Sequence, residues 1–157
     1  MARESPFAVR MGTKEDADSM ARLLIDFNRE FNEPTPPPAA LSERIRLLLE
    51  DGDTRILLVG SDPVGVAVLR FRRSIWSEGL ECYLAELYVI PSMRGQGIGR
   101  QLLGEAMNVA RLHGADTMDV GVDEPDVAAR SLYESAGFSH RVGGPDGPVM
   151  FVYERDL

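Results

Sequence analysis

The run Pro91-Ser92-Met93-Arg94-Gly95-Gln96-Gly97-Ile98-Gly99-Arg100 constrains the fold of this chain more than any other stretch. Three glycines and two arginines stand between an apolar, strand-like run at residues 86–90 and a run with apolar residues at helical spacing. Glycines let main-chain N–H groups close in on an anion, and a following helix adds its positive N-terminal end. The chain must therefore bring the end of a strand to the start of a helix, in the layout of a phosphate cradle. An ordinary strand-to-helix turn is the simpler reading, but one glycine suffices for that. Arg94 and Arg100 are either a solvated pair or partners of the anion; cations at a helix N-terminus are disfavoured unless an anion sits there. Residues 90–113 carry Arg94, Arg100 and Arg111 against Glu105 alone, although the whole chain has a formal net charge of −8. An anionic ligand fits there, and a cationic one elsewhere.

The rest of the chain reads as one α/β domain over residues 1–157. Apolar content of 44% and charged content of 27% are ordinary for a globular protein. No apolar run approaches the ~20 residues of a membrane span. The start, Met1-Ala2-Arg3-Glu4-Ser5-Pro6, shows no secretion signal. A single cysteine, Cys82, excludes an internal disulfide and suits a reducing cytoplasm. Two histidines and one cysteine give no metal-ligand spacing. The acidic balance argues against nucleic acid and anionic membrane as partners.

Strands are expected over residues 7–11, 55–60, 64–72, 81–90, 117–122, 138–142 and 149–153. A helix starts at Thr13, with Asp16 in a near capping-box position, and buries Ala17, Met20, Leu23, Leu24, Phe27 and Phe31. Pro34-Thr35-Pro36-Pro37-Pro38 ends it, and a second helix carries Leu41, Ile45, Leu48 and Leu49. Further helices cover residues 97–113 and 126–136. This order describes a central mixed sheet with helices on both faces.

Two common nucleotide motifs fail. The dinucleotide fingerprint needs a third glycine where Arg100 stands, and no Gly-Lys-Ser/Thr tripeptide of a phosphate-binding loop exists. Arg94-Gly95-Gln96-Gly97-Ile98-Gly99, placed after Glu86-Leu87-Tyr88-Val89-Ile90-Pro91, closely resembles the coenzyme A signature of the GNAT superfamily of N-acetyltransferases. Downstream, Ala129-Arg130-Ser131-Leu132-Tyr133-Glu134-Ser135-Ala136-Gly137-Phe138 resembles the superfamily's A-x-x-L-Y-x-x-x-G-F ending. The matched region covers residues 81–138, over a third of the chain.

The resemblance implies a mostly antiparallel, twisted sheet that splays at the cofactor site, the strand before the cradle leaving its neighbour after residue 90. The segment Leu87, Tyr88 and Val89 would then meet the pantetheine arm of acetyl-coenzyme A, through the main chain of Leu87 and Val89. N–H groups of Arg94, Gly95, Gln96, Gly97, Ile98, Gly99 and Arg100 would hold its pyrophosphate, with charge added by the Arg94 side chain. The Val89 N–H would meet the oxyanion, and Tyr133 would reach the cofactor sulfur as the acid. Tyr133 is otherwise an amphipathic core residue.

Acyl transfer to an amine also needs a base, because a free alkylamine has a pKa near ~10. Glu86 is the best candidate: on an extended strand it shares a face with Leu84 and Tyr88, so it is either a carboxylate raised in pKa or one at a wet strand edge. Glu81, Asp123 and Glu124 are weaker acids for the role. Asp126 stands where the family often has an asparagine; a carboxylate cannot donate to the pantetheine arm, and it suits a helix N-cap better. On the acceptor side the resemblance points to Asp26, Glu30, Glu33, Trp76, Glu78 and Glu81, which suit an ammonium-bearing substrate or are a solvated acidic surface.

The resulting expectation is an N-acetyltransferase acting by direct attack of a small cationic amine within a ternary complex, with no metal. Lone Cys82 has no histidine nearby in sequence to support a covalent acetyl-enzyme. The alternatives are acetylation of a protein N-terminus or lysine, and a non-catalytic coenzyme A-binding regulatory domain. Many relatives are dimers, so a homodimer is possible.

Overall fold

The computed structural model describes residues 7–157; the run 1–6, read above as carrying no secretion signal, lies outside the described residues. The chain up to Val120 and the segment Gly121–Leu157 form two compact units. The first contains β1 (Val9–Met11), α1 (Ala17–Glu30), α2 (Pro38–Glu50), β2 (Thr54–Val59), β3 (Gly65–Arg73), β4 (Leu80–Val89), α3 (Ile98–Leu112) and β5 (Ala115–Val120). The second contains α4 (Val127–Ser135).

The five strands form a mixed sheet in the order β1-β2-β3-β4-β5. The first three junctions are antiparallel and the last, β4 with β5, is parallel. Alternation along β2 and β3 splits their apolar residues between two faces. Ile56, Leu58, Val66 and Val68 join Tyr88 of β4 in one core with Ala17, Met20, Ala21 and Leu23 of α1 and Ile45 of α2. Leu57, Val59, Ala67 and Leu69 point the other way, where α3 buries Ile98, Leu102, Leu103, Ala106 and Ala110. Helices thus cover both faces, as the order of elements predicts. Pro38 opens α2 at its first turn, where a missing N–H costs nothing.

The segment after Gly12 begins with a single 3-10 turn, Lys14–Asp16, and α1 follows it. Asp16 explains this start. Its carboxylate accepts from the Thr13 N–H at 2.9 Å and from both terminal nitrogens of Arg10 at 2.9 and 2.8 Å. These contacts, the Arg10 hydrogen bonds foremost, hold its pKa down at about 2. A depressed carboxylate stabilises the fold above its unfolded pKa and loses that contribution as pH falls through the folded value. Asp16→Asn should therefore cost about 1–2 kcal/mol at neutral pH, because the pair is only partly shielded from solvent. In urea unfolding the variant and the wild type should converge as pH falls from about 4 toward 2; a gap that persists at low pH would contradict the assignment.

In the second unit the two expected strands, residues 138–142 and 149–153, are not strands. Only an isolated bridge, Arg141↔Val149, forms. It is flanked by hydrogen bonds from Val142 N–H to the Pro148 carbonyl (3.0 Å) and from Met150 N–H to the His140 carbonyl (2.8 Å). The connection holds Gly143 and Gly144 at positive φ, and Pro148 has no N–H to donate. Beyond it Phe151, Val152 and Tyr153 are exposed, so no burial rewards the apolar run.

Candidate active site

The register of β4 decides which of its backbone groups are available. Ile90 N–H donates to the Val64 carbonyl at 2.9 Å, and Gly65 lies opposite Val89. In an antiparallel ladder successive residues turn their backbone polar groups to opposite edges. Tyr88 therefore turns its main chain to β3, and Leu87 and Val89 turn theirs toward the β5 side. The β4–β5 ladder ends at Leu84↔Val120. β5 ends there and leaves the edge at Leu87 and Val89 unpaired, whereas the resemblance implies a splay only after residue 90.

A β-bulge refines the placement of Glu86. Opposite β3 the register jumps between Val68 and Leu69, so Val68 faces Glu86 while Leu69 faces Leu84. Ala85 is the extra residue. The insertion puts Glu86 on the α1 face with Val68 and Tyr88, and Leu84 on the α3 face with Leu69. The simple alternation that grouped Glu86 with both Leu84 and Tyr88 is corrected on this point. Glu86 is half-buried among apolar neighbours, and burial raises its pKa above the usual carboxylate range.

After Val89 the chain makes a short turn, Pro91–Met93, and enters the cradle. Gly95 and Gly97 both adopt left-handed backbone, φ +77 and +81. A Cβ at either would meet nothing within 4 Å, so glycine is needed for conformation and not for room. Gly97 is the N-cap of α3 and no side chain caps that end. The first bond of the helical ladder runs from Gln101 N–H to the Gly97 carbonyl at 3.0 Å. The N–H groups of Ile98, Gly99 and Arg100 precede it, at the positive end of a 15-residue helix. Gln96 and Arg100 are exposed beside them.

Arg94 does not point its fork at this anion site. Its Nη1 and Nη2 donate to the two carboxylate oxygens of Glu30, each at 2.6 Å, and its Nε donates to the Val89 carbonyl at 2.9 Å. The guanidinium carbon lies 5.6 Å from the Tyr88 ring centroid. Tyr88 in turn stacks on Phe27 of α1, with centroids 5.2 Å apart.

Cys82 lies on β4 with no exposure, and burial first, then Asp119, pushes its thiol up to about 11. A thiol so protonated is a poor nucleophile at neutral pH.

In the second unit, α4 carries Asp126 and Tyr133. Asp126 is its N-cap, accepting from the Ala129 N–H at 3.1 Å, in line with the capping reading. Tyr133 sits near the far end and is buried. Phe138 N–H bonds back to the Tyr133 carbonyl (3.0 Å), and Gly137 N–H bonds to that of Glu134 (3.1 Å), with Gly137 at φ +92. This is a glycine-closed helix end, and its usual apolar contact is the edge-on packing of Tyr133 against Phe138 at 5.8 Å. The L-Y-x-x-x-G-F run is thus a device that fixes the tyrosine.

The acceptor-side acids are fewer than their count suggests. Glu30 is committed to Arg94, and Glu81 pairs with Arg72 at 2.5 Å. Trp76, 91% exposed, and Glu78, also exposed, are in the turn preceding Leu80, which is nine strand residues or about 30 Å from Val89. Asp26 and Glu33, at the C-terminal end of α1 and just beyond it, remain.

Comparison with known proteins bears on the fold and the family. The family model described as the acetyltransferase (GNAT) family matches residues 18–138. A solved protein of Arthrobacter sp. FB24, assigned provisionally as an acetyltransferase, is 38% identical with a TM-score of 0.89 over 100% of both chains. The mycothiol acetyltransferase of Beutenbergia cavernae is 35% identical over 69 residues, 42% of this chain and 23% of that protein. The thialysine N-epsilon-acetyltransferase of Mus musculus is 35% identical over 95 residues, 60% of this chain and 55% of that one. The chain thus spans about a quarter and about half of the lengths of these two curated relatives.

Proposed function

The chain belongs to the acetyltransferase (GNAT) family, and from that membership we propose that it transfers the acetyl group of acetyl-coenzyme A to a small cationic primary amine by direct attack in a ternary complex. The observation that carries this reading is the edge of Leu87 and Val89, which β5 leaves unpaired, running into two left-handed glycines and an uncapped helix start. An extended arm suits the first and a pyrophosphate the second.

In this reading the main chain of Leu87 and Val89 takes the pantetheine arm as an added strand. The N–H groups from Gly95 to Arg100 take the pyrophosphate. Glu86, acting through water, accepts a proton from the ammonium, and the freed amine attacks the thioester carbonyl. The Val89 N–H donates to the oxyanion. As the C–S bond breaks, the Tyr133 phenol gives its proton to the thiolate. Direct transfer is favoured because the Cys82 thiol is buried and held protonated. A small acceptor is favoured because relatives named for thialysine acetylation match residues of this chain, and Asp26 and Glu33 supply negative charge.

Thiol release from acetyl-coenzyme A should accelerate with members of a panel of diamines, thialysine and aminoglycosides, and calorimetry should detect binding of the thioester. Release with peptide amines alone would move the reading to protein acetylation. Binding without any turnover would make the chain a coenzyme A-dependent regulator, and no binding at all would end the proposal.

A further inference from the structure

We propose that Glu30 is a positioning residue for the cofactor strand, acting through Arg94 on the Val89 carbonyl and the first turn of the cradle. This rests on the acetyl-coenzyme A reading above and extends it to a residue outside both sequence motifs. Arg94 is the arginine of the cradle motif, and its natural reading is an anion ligand. The geometry assigns it another task. Both of its terminal nitrogens are engaged by Glu30, and its Nε holds the carbonyl of Val89. A planar fork with that many donors fixed is a brace, because the guanidinium orientation is dictated by carboxylate and carbonyl together.

The brace has a function only because of what lies at its two ends. One end is the last residue of α1, whose Phe27 stacks on Tyr88 and packs edge-on against Phe31 at 5.4 Å. The other end is the backbone of Val89, on the strand edge left unpaired by β5. Arg94 itself is extended, φ −74 and ψ 158, directly before left-handed Gly95. Fixing its side chain therefore fixes where the cradle starts. Glu30 also cancels the arginine's charge, so the phosphates are left to main-chain N–H groups and the helix end. The Glu30 pKa is lowered, first by the Arg94 hydrogen bonds, which keeps the brace ionised at neutral pH.

The two readings of Arg94 give opposite outcomes for Glu30→Gln. Were Arg94 a phosphate ligand, removing the competing carboxylate would release its charge to the pyrophosphate and tighten binding. As a brace, it loses its anchor, and the strand edge is left less ordered. Calorimetric titration with acetyl-coenzyme A should show Kd raised about fivefold in Glu30→Gln, the size of roughly one ordinary hydrogen bond. KM for the thioester should rise with kcat unchanged, since Glu30 touches no reacting atom. The Tm should barely move, because the side chains are 32% and 45% exposed and such pairs contribute little to folding.

Arg94→Gln should show the same Kd, and the double variant should be no worse than either single one. Arg94→Gln also carries the test should Glu30→Gln fold poorly. Tighter or unchanged binding in Glu30→Gln, or penalties that add in the double variant, would overturn the proposal while leaving the acetyltransferase reading intact. A wild-type protein that binds no acetyl-coenzyme A overturns that reading and this one with it.

Discussion

Tyr133→Phe is expected to lower kcat about 100-fold while leaving the Kd for acetyl-coenzyme A within about twofold, the size of effect that a lost general acid produces. The substitution removes one oxygen and keeps the ring. The packing on Phe138 and the glycine-closed helix end depend on the ring and the backbone, so α4 should keep its shape. An effect confined to kcat marks an interaction made in the transition state, whereas a rise in KM alone would mark a binding contact. Leaving-group acidity offers a second readout. A thioester whose thiol has a lower pKa needs less help from an acid, so the deficit of Tyr133→Phe should shrink with such an analogue. A variant with wild-type turnover on acetyl-coenzyme A would remove Tyr133 from the reaction.

Residues whose backbone demands are local were legible in the sequence. Gly95 and Gly97 read as a main-chain cradle, and the structure adds the reason for glycine there, since no other residue adopts φ near +80 cheaply. Asp126 announced an N-cap from its place at the start of a helix, and the structure adds that Gly137 closes the same helix. What the sequence concealed is non-local. Ala85 carries no mark of a bulge, yet it moves Leu84 to the opposite face from Glu86. The partner of Arg94 lies 64 positions away, and nothing about Glu30 distinguishes it from the other acids near the end of α1. Residues 149–153 are an unbroken apolar run of the kind a buried strand carries; strand formation failed for want of a paired edge and a burying surface, neither of which such a run records.

Glu86→Gln should separate catalysis from stability, moving them in opposite directions. Burial raises the Glu86 pKa, so its ionised form is the costly one in the folded state. A group with a raised folded pKa contributes most below its unfolded pKa and loses that contribution as pH rises through the folded value. Above that window the wild type holds a carboxylate in a half-buried site, and glutamine, of the same shape and uncharged, does not. Thermal unfolding at pH 7–8 should therefore show the variant with the higher Tm, and the difference should close toward pH 4. Turnover should behave in the reverse sense. With the base removed, activity at pH 7 should drop about 100-fold. It should then recover as pH climbs toward the acceptor's own pKa near ~10, where the amine loses its proton unaided. The wild-type profile should carry an acidic limb above the ordinary carboxylate range, absent from the variant. A deficit that stays constant with pH would leave Glu86 a structural acid, and the base would then have to come from the acceptor side, where Asp26 and Glu33 are the remaining acids. A stability gain without any loss of activity would show that the buried carboxylate is not kept for this reaction.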